Sequence, residues 1–370
     1  MKITVERTAL AKALGHLHRI VEKRNTIPIL SNVLLQADGS RLMLKATDLD
    51  IEVTEQIAAE IHEPGDITLA AHILNDIVRK LPNGAQISID APPEKQTVLK
   101  SGKARFNLQS LPAQDFPNIA AGQFEQSFRI RGGDLRQLLD KAQFAISSEE
   151  TRYYLNGVYM HVAEVEGREV LRAVATDGHR LARLEIPAPA GSPGMPGIIV
   201  PRKTVSEIIK LIEDNNAEIE VDVSTTKIRF TIGNVVMTSK LIDGTFPDYA
   251  RVIPSGNPNV MTVDCQAFKA AVDRVSTVSA DRGRAVKLAA QEGAVTLSVQ
   301  DAESGSCEEE FGCEYEGAPI GIGFNHRYVN DALTNLGETA QFRFSDPGSP
   351  AIVADPADPS LLIVLMPMRV

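Results

Sequence analysis

From its first residues the chain alternates apolar and polar side chains. Met1-Lys2-Ile3-Thr4-Val5-Glu6-Arg7 places Ile3 and Val5 on one face, the period-two signature of a half-buried strand. A secretory leader would instead carry an apolar run behind a basic start. The period then changes. Over 8–21 apolar residues recur every three to four positions, which predicts an amphipathic helix. An irregular turn, Asn25-Thr26-Ile27-Pro28, leads into short alternating strands that end at Leu44-Lys45-Ala46-Thr47-Asp48. A second helical pattern covers 70–81. Strand patterns follow at 85–90, 97–100 and 105–108, and then the turn Leu111-Pro112-Ala113-Gln114-Asp115-Phe116-Pro117.

This order returns twice. The middle third opens on Ser127-Phe128-Arg129-Ile130, predicts a helix over 134–144 and carries strands to Arg172-Ala173-Val174-Ala175-Thr176-Asp177. Its second half predicts a helix over 201–212 and strands over 218–223, 227–232 and 235–241, before Gly244-Thr245-Phe246-Pro247-Asp248-Tyr249. The last third opens on Val260-Met261-Thr262-Val263, with helices predicted over 266–275 and 325–336. Strands run to Thr296-Leu297-Ser298-Val299-Gln300-Asp301 and later cover 340–344, 351–354 and 361–366. Asp48, Asp177 and Asp301 stand 129 and 124 positions apart, a period of domain size. The pattern predicts an α+β chain of three similar domains, 1–122, 123–256 and 257–370. Each would have two antiparallel sheets with two helices packed on one side. Chance recurrence of ordinary α+β patterning is the alternative; the matched order and the repeated Phe-Pro turn weigh against it.

Composition narrows the class. With 43% hydrophobic residues, 5% aromatics and no Trp, Leu, Ile and Val must fill most of the core. No stretch approaches 18 consecutive apolar residues, so no membrane span is expected. Cys265, Cys307 and Cys313 are odd in number and lack CxxC spacing, which argues against a disulfide framework or a metal site and for a reduced, cytoplasmic setting. The formal net charge of −10 argues against a tight nucleic-acid binder unless charge is segregated. It is segregated: helical windows 7–24, 72–80, 131–141, 202–214, 264–274 and 325–331 hold 16 Lys/Arg against 10 Asp/Glu, net +6, leaving −16 elsewhere. Residues 301–316 alone hold seven acids and no base. Single charge runs are usually solvated faces; six equivalent helices biased one way suggest a basic lining within an acidic exterior. Without a helix-turn-helix, zinc-finger spacing or an aromatic-rich platform, contact with DNA would be to phosphates and indifferent to sequence.

Chemistry-bearing motifs are few. Asp177 and His179, within Thr176-Asp177-Gly178-His179-Arg180-Leu181, are spaced as a base and its orienter, but no nucleophile elbow, phosphate loop or HExxH accompanies them, and Asp-Gly is a common turn pair. Gly321-Ile322-Gly323-Phe324 lacks the third glycine of a dinucleotide fingerprint. No catalytic residue, cofactor or metal is expected. The end of the chain, Leu361-Leu362-Ile363-Val364-Leu365 followed by Met366-Pro367-Met368-Arg369-Val370, is apolar and Met-rich. It reads as a docked last strand whose Met residues can also line a binding groove.

Several blocks carry a resemblance: Asn25–Leu30 with Arg24 before it, Leu111–Asn118, Arg152-Tyr153-Tyr154-Leu155-Asn156-Gly157, Ala175–Ala182, Val200-Pro201-Arg202-Lys203, Ser239–Tyr249, Gly321–Asn325 and Met366–Arg369. Over its whole length the chain resembles the bacterial beta sliding clamps, the beta subunits of DNA polymerase III. The resemblance implies a ring-shaped head-to-tail homodimer of six domains, helices inward, that encircles double-stranded DNA and has no catalytic site of its own. It implies as partners the polymerase III alpha subunit, the clamp loader, repair polymerases and mismatch-repair proteins. They would dock short peptides in a pocket formed by Leu155, Thr176, Gly178, His179, Arg180, Leu181, Pro247, Arg251, Val252, Val364, Met366, Pro367, Met368 and Arg369, with Arg180 and Arg369 bonding peptide carbonyls. It implies DNA contacts from Arg24, Arg152, Tyr153, Tyr154, Arg202 and Lys203. Phe106 and Val278 would lie at the dimer contact, where Thr277 replaces the larger apolar residue common in the family. Two other function classes compete: a surface module that recruits partners without encircling DNA, and a phosphodiesterase using Asp177 and His179.

Overall fold

Each helix begins where a strand ends, as the change of period predicts. Lys2–Glu6 leads into α1 (Arg7–Leu17), Gly65–Ala70 into α2 (Ala71–Lys80) and Gln126–Arg131 into α3 (Gly132–Gln143). Ile198–Pro201 leads into α4 (Arg202–Leu211), Asn259–Asp264 into α5 (Cys265–Val275) and Ile320–Asn325 into α6 (His326–Thr334). A computed structural model describes residues 1–23, 25–93, 95–119, 122–279 and 285–370. At three junctions a polar side chain starts the helix. Glu6 accepts from the Ala9 N–H at 2.9 Å, Asp264 from Ala267 at 2.8 Å and Asn325 from Arg327 at 3.0 Å. Each satisfies one of the donors that a first helical turn leaves free, a cap worth about 1 kcal/mol.

Four helices are shorter than their patterns, α2 and α4 by one residue at each end and α1 and α6 by more. α1 stops at Leu17 instead of running to 21: His18 is its C-cap, with both its backbone N–H and its Nδ1 on the Leu14 carbonyl, and the next bond, from the Ile20 N–H to the Leu17 carbonyl, spans three residues and closes a turn. α6 loses Asn325 to the N-cap and Asn335 to the C-cap.

The chain divides into two compact units. The first comprises Met1–Arg136, Pro189–Pro196 and Ser206–Leu241; the second comprises Gln137–Ala188, Gly197–Val205 and Ile242–Val370. Each unit holds one nine-stranded antiparallel sheet and one smaller sheet, of five strands in the first and four in the second. The long sheets join strands from different sequence repeats. In the first unit Ile51–Ala58 pairs with Val235–Lys240, with Val53 opposite Met237. In the second Arg180–Pro187 pairs with Asp358–Leu365, with Leu181 opposite Val364.

The cores follow the two periods. On α1 Leu10, Ala13, Leu14 and Leu17 are fully buried, and α1 packs against α2. α5 packs against α6 in the second unit. Leu, Ile and Val dominate the core, as composition predicts, but the second unit also gathers phenylalanines. Phe268, Phe342, Phe344 and Phe324 form a chain of rings with successive centroids 5.7, 6.1 and 6.3 Å apart. Burying each such ring contributes about 1.5–3 kcal/mol.

Candidate functional site: an apolar pocket beside the last strand

The strands Arg168–Thr176 and Arg180–Pro187 form a hairpin, and its turn sets the rim of a pocket of about 290 Å3. The Thr176 hydroxyl donates to the Arg180 carbonyl at 2.7 Å and accepts from the Gly178 N–H. Asp177 Oδ1 accepts from the N–H groups of His179 and Arg180, and its Oδ2 takes Arg180 Nε at 3.1 Å. The carboxylate is therefore consumed by the turn and does not orient His179 as a base. Asp358–Leu365 lies antiparallel to the second hairpin strand, so Leu181 and Val364 share a face. The 3-10 segment Glu150–Leu155 and the segment Tyr249–Val252 complete the walls.

The floor is a buried cluster of Leu155, Val174, Leu181, Ile199, Phe246, Tyr249 and Val364. Behind it Tyr159 stacks on Phe246 at 4.9 Å and on His161 at 4.8 Å. His161 Nδ1–H donates to the Val162 carbonyl, leaving Nε2 to accept from the Tyr249 hydroxyl at 2.9 Å. That hydroxyl also accepts from Arg172, which is held by Glu185. Burial, with the charge of Arg172, lowers the His161 pKa below the usual imidazole value. The neutral ring suits its role as acceptor.

Nine of the anticipated pocket residues line this cavity: Leu155, Thr176, Gly178, Arg180, Leu181, Pro247, Val252, Val364 and Met366. Five do not. His179 stacks on Tyr328 at 6.3 Å while its carbonyl accepts from the Met366 N–H. Arg251 is exposed and paired with Asp248. Pro367, Met368 and Arg369 border a separate cavity, where the Met368 N–H donates to the Gly323 carbonyl at 2.8 Å. Arg180 lines the pocket with its guanidinium already engaged: Asp331 lies at 2.5 Å, and the Tyr328 and Phe144 rings lie 4.4 and 5.3 Å away.

Four lining residues were absent from the anticipated pocket: Arg152, Tyr154, Asp248 and Tyr249. Asp248 and Tyr249 directly follow the repeated Phe-Pro turn, which was the available signal. Arg152, anticipated as a DNA contact, turns its guanidinium under the hairpin and is held by Glu149 through two bonds of 2.8 and 2.6 Å. A Cβ on Gly178 would lie 2.6 Å from Arg152 Nη1.

The other anticipated contacts are spread more widely. Tyr153 is 54% exposed and meets Tyr154 edge-on. Arg202 directs Nη2 to the carbonyls of Ile146 and Ser147 at 2.7 and 2.8 Å, and Lys203 follows it on α4. Arg24 lies outside the described residues. Phe106 is on Ala104–Leu108, the end strand of the five-stranded sheet. Val278 and Thr277 lie on Ser276–Val278, packed on Gly305–Gly312, the end strand of the four-stranded sheet; the Thr277 hydroxyl donates to the Asp273 carbonyl. Among the described residues no group of three or more His, Cys, Asp or Glu side chains is placed to hold a metal, the three cysteines are free, and no helix is long and apolar enough to cross a membrane.

Comparison with known proteins accounts for the whole chain. The profiles of the DNA polymerase III beta subunit match in order: N-terminal domain over 1–120, central domain over 129–248 and C-terminal domain over 250–369. The chain is 51% identical to the beta sliding clamp of Caulobacter vibrioides and 38% identical to that of Escherichia coli K12, with all of both chains covered in each case. Its fold matches the crystal structure of the Bartonella birtlesii sliding clamp bound to griselimycin, at 50% identity and a TM-score of 0.97, with both chains fully covered. It also matches Caulobacter crescentus pol III beta, at 50% identity and a TM-score of 0.95, again over both full chains. The chain belongs to the DNA polymerase III beta subunit family, the beta sliding clamps.

Proposed function

We propose that the protein is a non-catalytic, cytoplasmic tether. Two copies, each of domains 1–122, 123–256 and 257–370, join head to tail around duplex DNA, and the pocket takes short linear peptides. The peptides come from the polymerase III alpha subunit, the clamp loader, repair polymerases and mismatch-repair proteins. Leu155, Leu181, Val252, Val364 and Met366 supply apolar walls, and the engaged guanidinium of Arg180 gives a rigid polar rim. Such a site suits an apolar side chain on an extended peptide. Tethering raises the local concentration of the polymerase at its template, so it rebinds before diffusing away. Arg24, Arg152, Tyr153, Tyr154, Arg202 and Lys203 are the proposed DNA contacts. Retention by topology needs only weak phosphate contacts, which is compatible with a net charge of −10.

The observation that carries the head-to-tail ring is a pair of sheet edges of opposite charge. Ala104–Leu108 ends one sheet and is flanked by exposed Lys100, Lys103 and Arg105. Gly305–Gly312 ends another and carries exposed Glu308 and Glu310. An end strand presents unpaired backbone N–H and C=O groups. Like edges repel and unlike edges attract, so a heterologous contact between copies, with Phe106 and Val278 at its apolar part, is favoured over a self-pairing one. The test is retention on a nicked circular plasmid after loading at high salt. Linearising the plasmid should release the protein, and Lys103→Glu with Arg105→Glu should abolish retention on the circle. Retention indifferent to the cut would mean surface binding and end the ring proposal.

A further inference from the structure

Past the floor of the pocket the same sheet face turns from apolar to charged. Leu181, Arg183 and Glu185 alternate along Arg180–Pro187 and so share one face. Arg183 stands opposite Val174 on one neighbouring strand and Leu362 on the other. Val174 belongs to the floor cluster and Leu362 packs against it. Arg183 is therefore set into the edge of the floor, about 7 Å along the strand from Leu181.

The Arg183 guanidinium lacks what the other arginines around the pocket have. Arg152 is paired with Glu149, Arg180 with Asp177 and Asp331, Arg251 with Asp248, and Arg172 with Glu185. Arg183 donates no hydrogen bond among the described residues. Its Nε is sealed from solvent and lies 3.8 Å from Glu185 Oε2, an oxygen that Arg172 already holds at 2.8 Å. Two guanidiniums thus share one carboxylate, beside the neutral ring of His161. Burial lowers the Arg183 pKa below the usual guanidinium value; Glu185 offsets part of this and Arg172 adds to it. A charge held this far from water is normally paired. The side chain is still 18% exposed, and with Nε sealed, the part that solvent reaches is open to a ligand.

We propose that Arg183 is a specificity residue for the docked peptide: it takes the carboxylate of an Asp or Glu side chain placed about two residues from the apolar anchor. Two residues of extended chain span about 7 Å, the separation of Leu181 and Arg183 along their strand. A guanidinium matches a carboxylate through two parallel N–H···O bonds, whereas an amide offers a single acceptor oxygen. This preference rests on the pocket being a peptide site, as proposed above, and decides which peptides it favours. The end of a peptide chain is the other source of a carboxylate.

The test is a cycle between protein and peptide, read by calorimetry over a salt series. The proteins are the full-length wild type, Arg183→Met and Arg183→Gln. The probes are short peptides with a Leu-Leu anchor, capped at both ends, carrying Asp or Asn two residues before or after the anchor. One further Asn peptide keeps a free C-terminal carboxylate. The wild type should bind one Asp peptide about five- to tenfold tighter than its Asn counterpart, with the advantage shrinking as salt rises. Both variants should reduce that advantage to less than about twofold. A melting temperature for Arg183→Met at or above the wild-type value also supports a guanidinium kept for a ligand. If Arg183→Met does not fold, Arg183→Gln carries the test. Equal binding of Asp and Asn peptides by the wild type, or an Asp advantage that survives in both variants, overturns the role of Arg183 and leaves the pocket in place. A gain only for the free C-terminus, lost in the variants, overturns the side-chain source and assigns Arg183 to a chain end. No binding of any peptide to the wild type overturns the pocket itself, and the role of Arg183 with it.

Discussion

Two hairpin turns in different units are wired alike, and only one of them borders the pocket. In the first unit Thr47 donates its hydroxyl to the Ile51 carbonyl at 2.8 Å and accepts from the Leu49 N–H, while Asp48 Oδ1 accepts from the N–H groups of Asp50 and Ile51. Thr176 and Asp177 make the same four bonds in the second unit. The third residue of each turn is left-handed, φ +79° at Leu49 and +88° at Gly178. Leu49 is 38% exposed and its side chain has solvent to enter. At Gly178 the space a Cβ would need is held by the Arg152 guanidinium. The turn itself thus tolerates leucine; the pocket is what demands glycine. What the repeat shares is structural, and where it departs from itself a site has been built.

The largest break in this comparison should come from copying one turn into the other. Gly178→Leu puts a side chain onto Arg152 and loads a left-handed backbone, costing about 1–3 kcal/mol and weakening a pocket peptide by more than tenfold. Leu49→Gly should stay within about 1 kcal/mol of wild type. Adding Arg152→Ala to Gly178→Leu should return part of the loss; a strictly additive double mutant in thermal melts and peptide calorimetry would remove Arg152 as the reason for the glycine.

A smaller effect separates the two aspartates. Asp48→Ala and Asp177→Ala each strand two backbone donors, a loss of about 1–2 kcal/mol. Asp177→Ala also removes the Asp177–Arg180 ion pair, and should cost about 1 kcal/mol more. Losses of Asp177→Ala and Arg180→Ala that add strictly in the double variant, in denaturant titrations, would mean that the Asp177–Arg180 pair contributes nothing to stability.

The smallest effect lies in pH, where the units should respond with opposite sign. In the first, the hydrogen bond that His16 Nδ1 donates to Glu55 at 2.8 Å raises the pKa of the buried ring, with Glu213 adding to it. That contribution is complete below the unfolded imidazole value of about 6.5 and is lost as pH rises through the raised folded value. His161 is held low by burial, so its contribution is complete above about 6.5 and is lost as pH falls toward the folded value. His16→Gln should therefore destabilise more at pH 6 than at pH 8, and His161→Gln more at pH 8 than at pH 6. A pH-independent loss in either series of melts would show that the histidine does not titrate as its surroundings indicate.

Local pattern made the helices, most strands and the repeated turn legible, because period and capping depend on residues a few positions apart. The docked last strand was legible too: Leu361–Leu365 has the density of a buried strand, and it carries Val364 and leads into Met366 at the pocket. Where Arg152 points was not legible. The resemblance implied a DNA contact for Arg152, and nothing nearby in sequence says that the guanidinium lies beneath a glycine 26 positions later. Nor did the pattern say that His179 would offer a carbonyl instead of its ring, or that Arg369 would lie beside a different cavity.

By itself the sequence determined the order and kind of the elements, which faces are apolar, which turns recur, and which family the chain resembles. Only the tertiary structure decided that Arg180–Pro187 pairs with Asp358–Leu365, that Ile51–Ala58 pairs with Val235–Lys240, and which of the anticipated pocket residues meet. The reason is physical. Strand period and helix caps are set by neighbouring residues, whereas the partner of a sheet edge is chosen by register, twist and burial among all the edges the chain can offer, and the direction of a long charged side chain is set by whichever carboxylate the fold brings within reach.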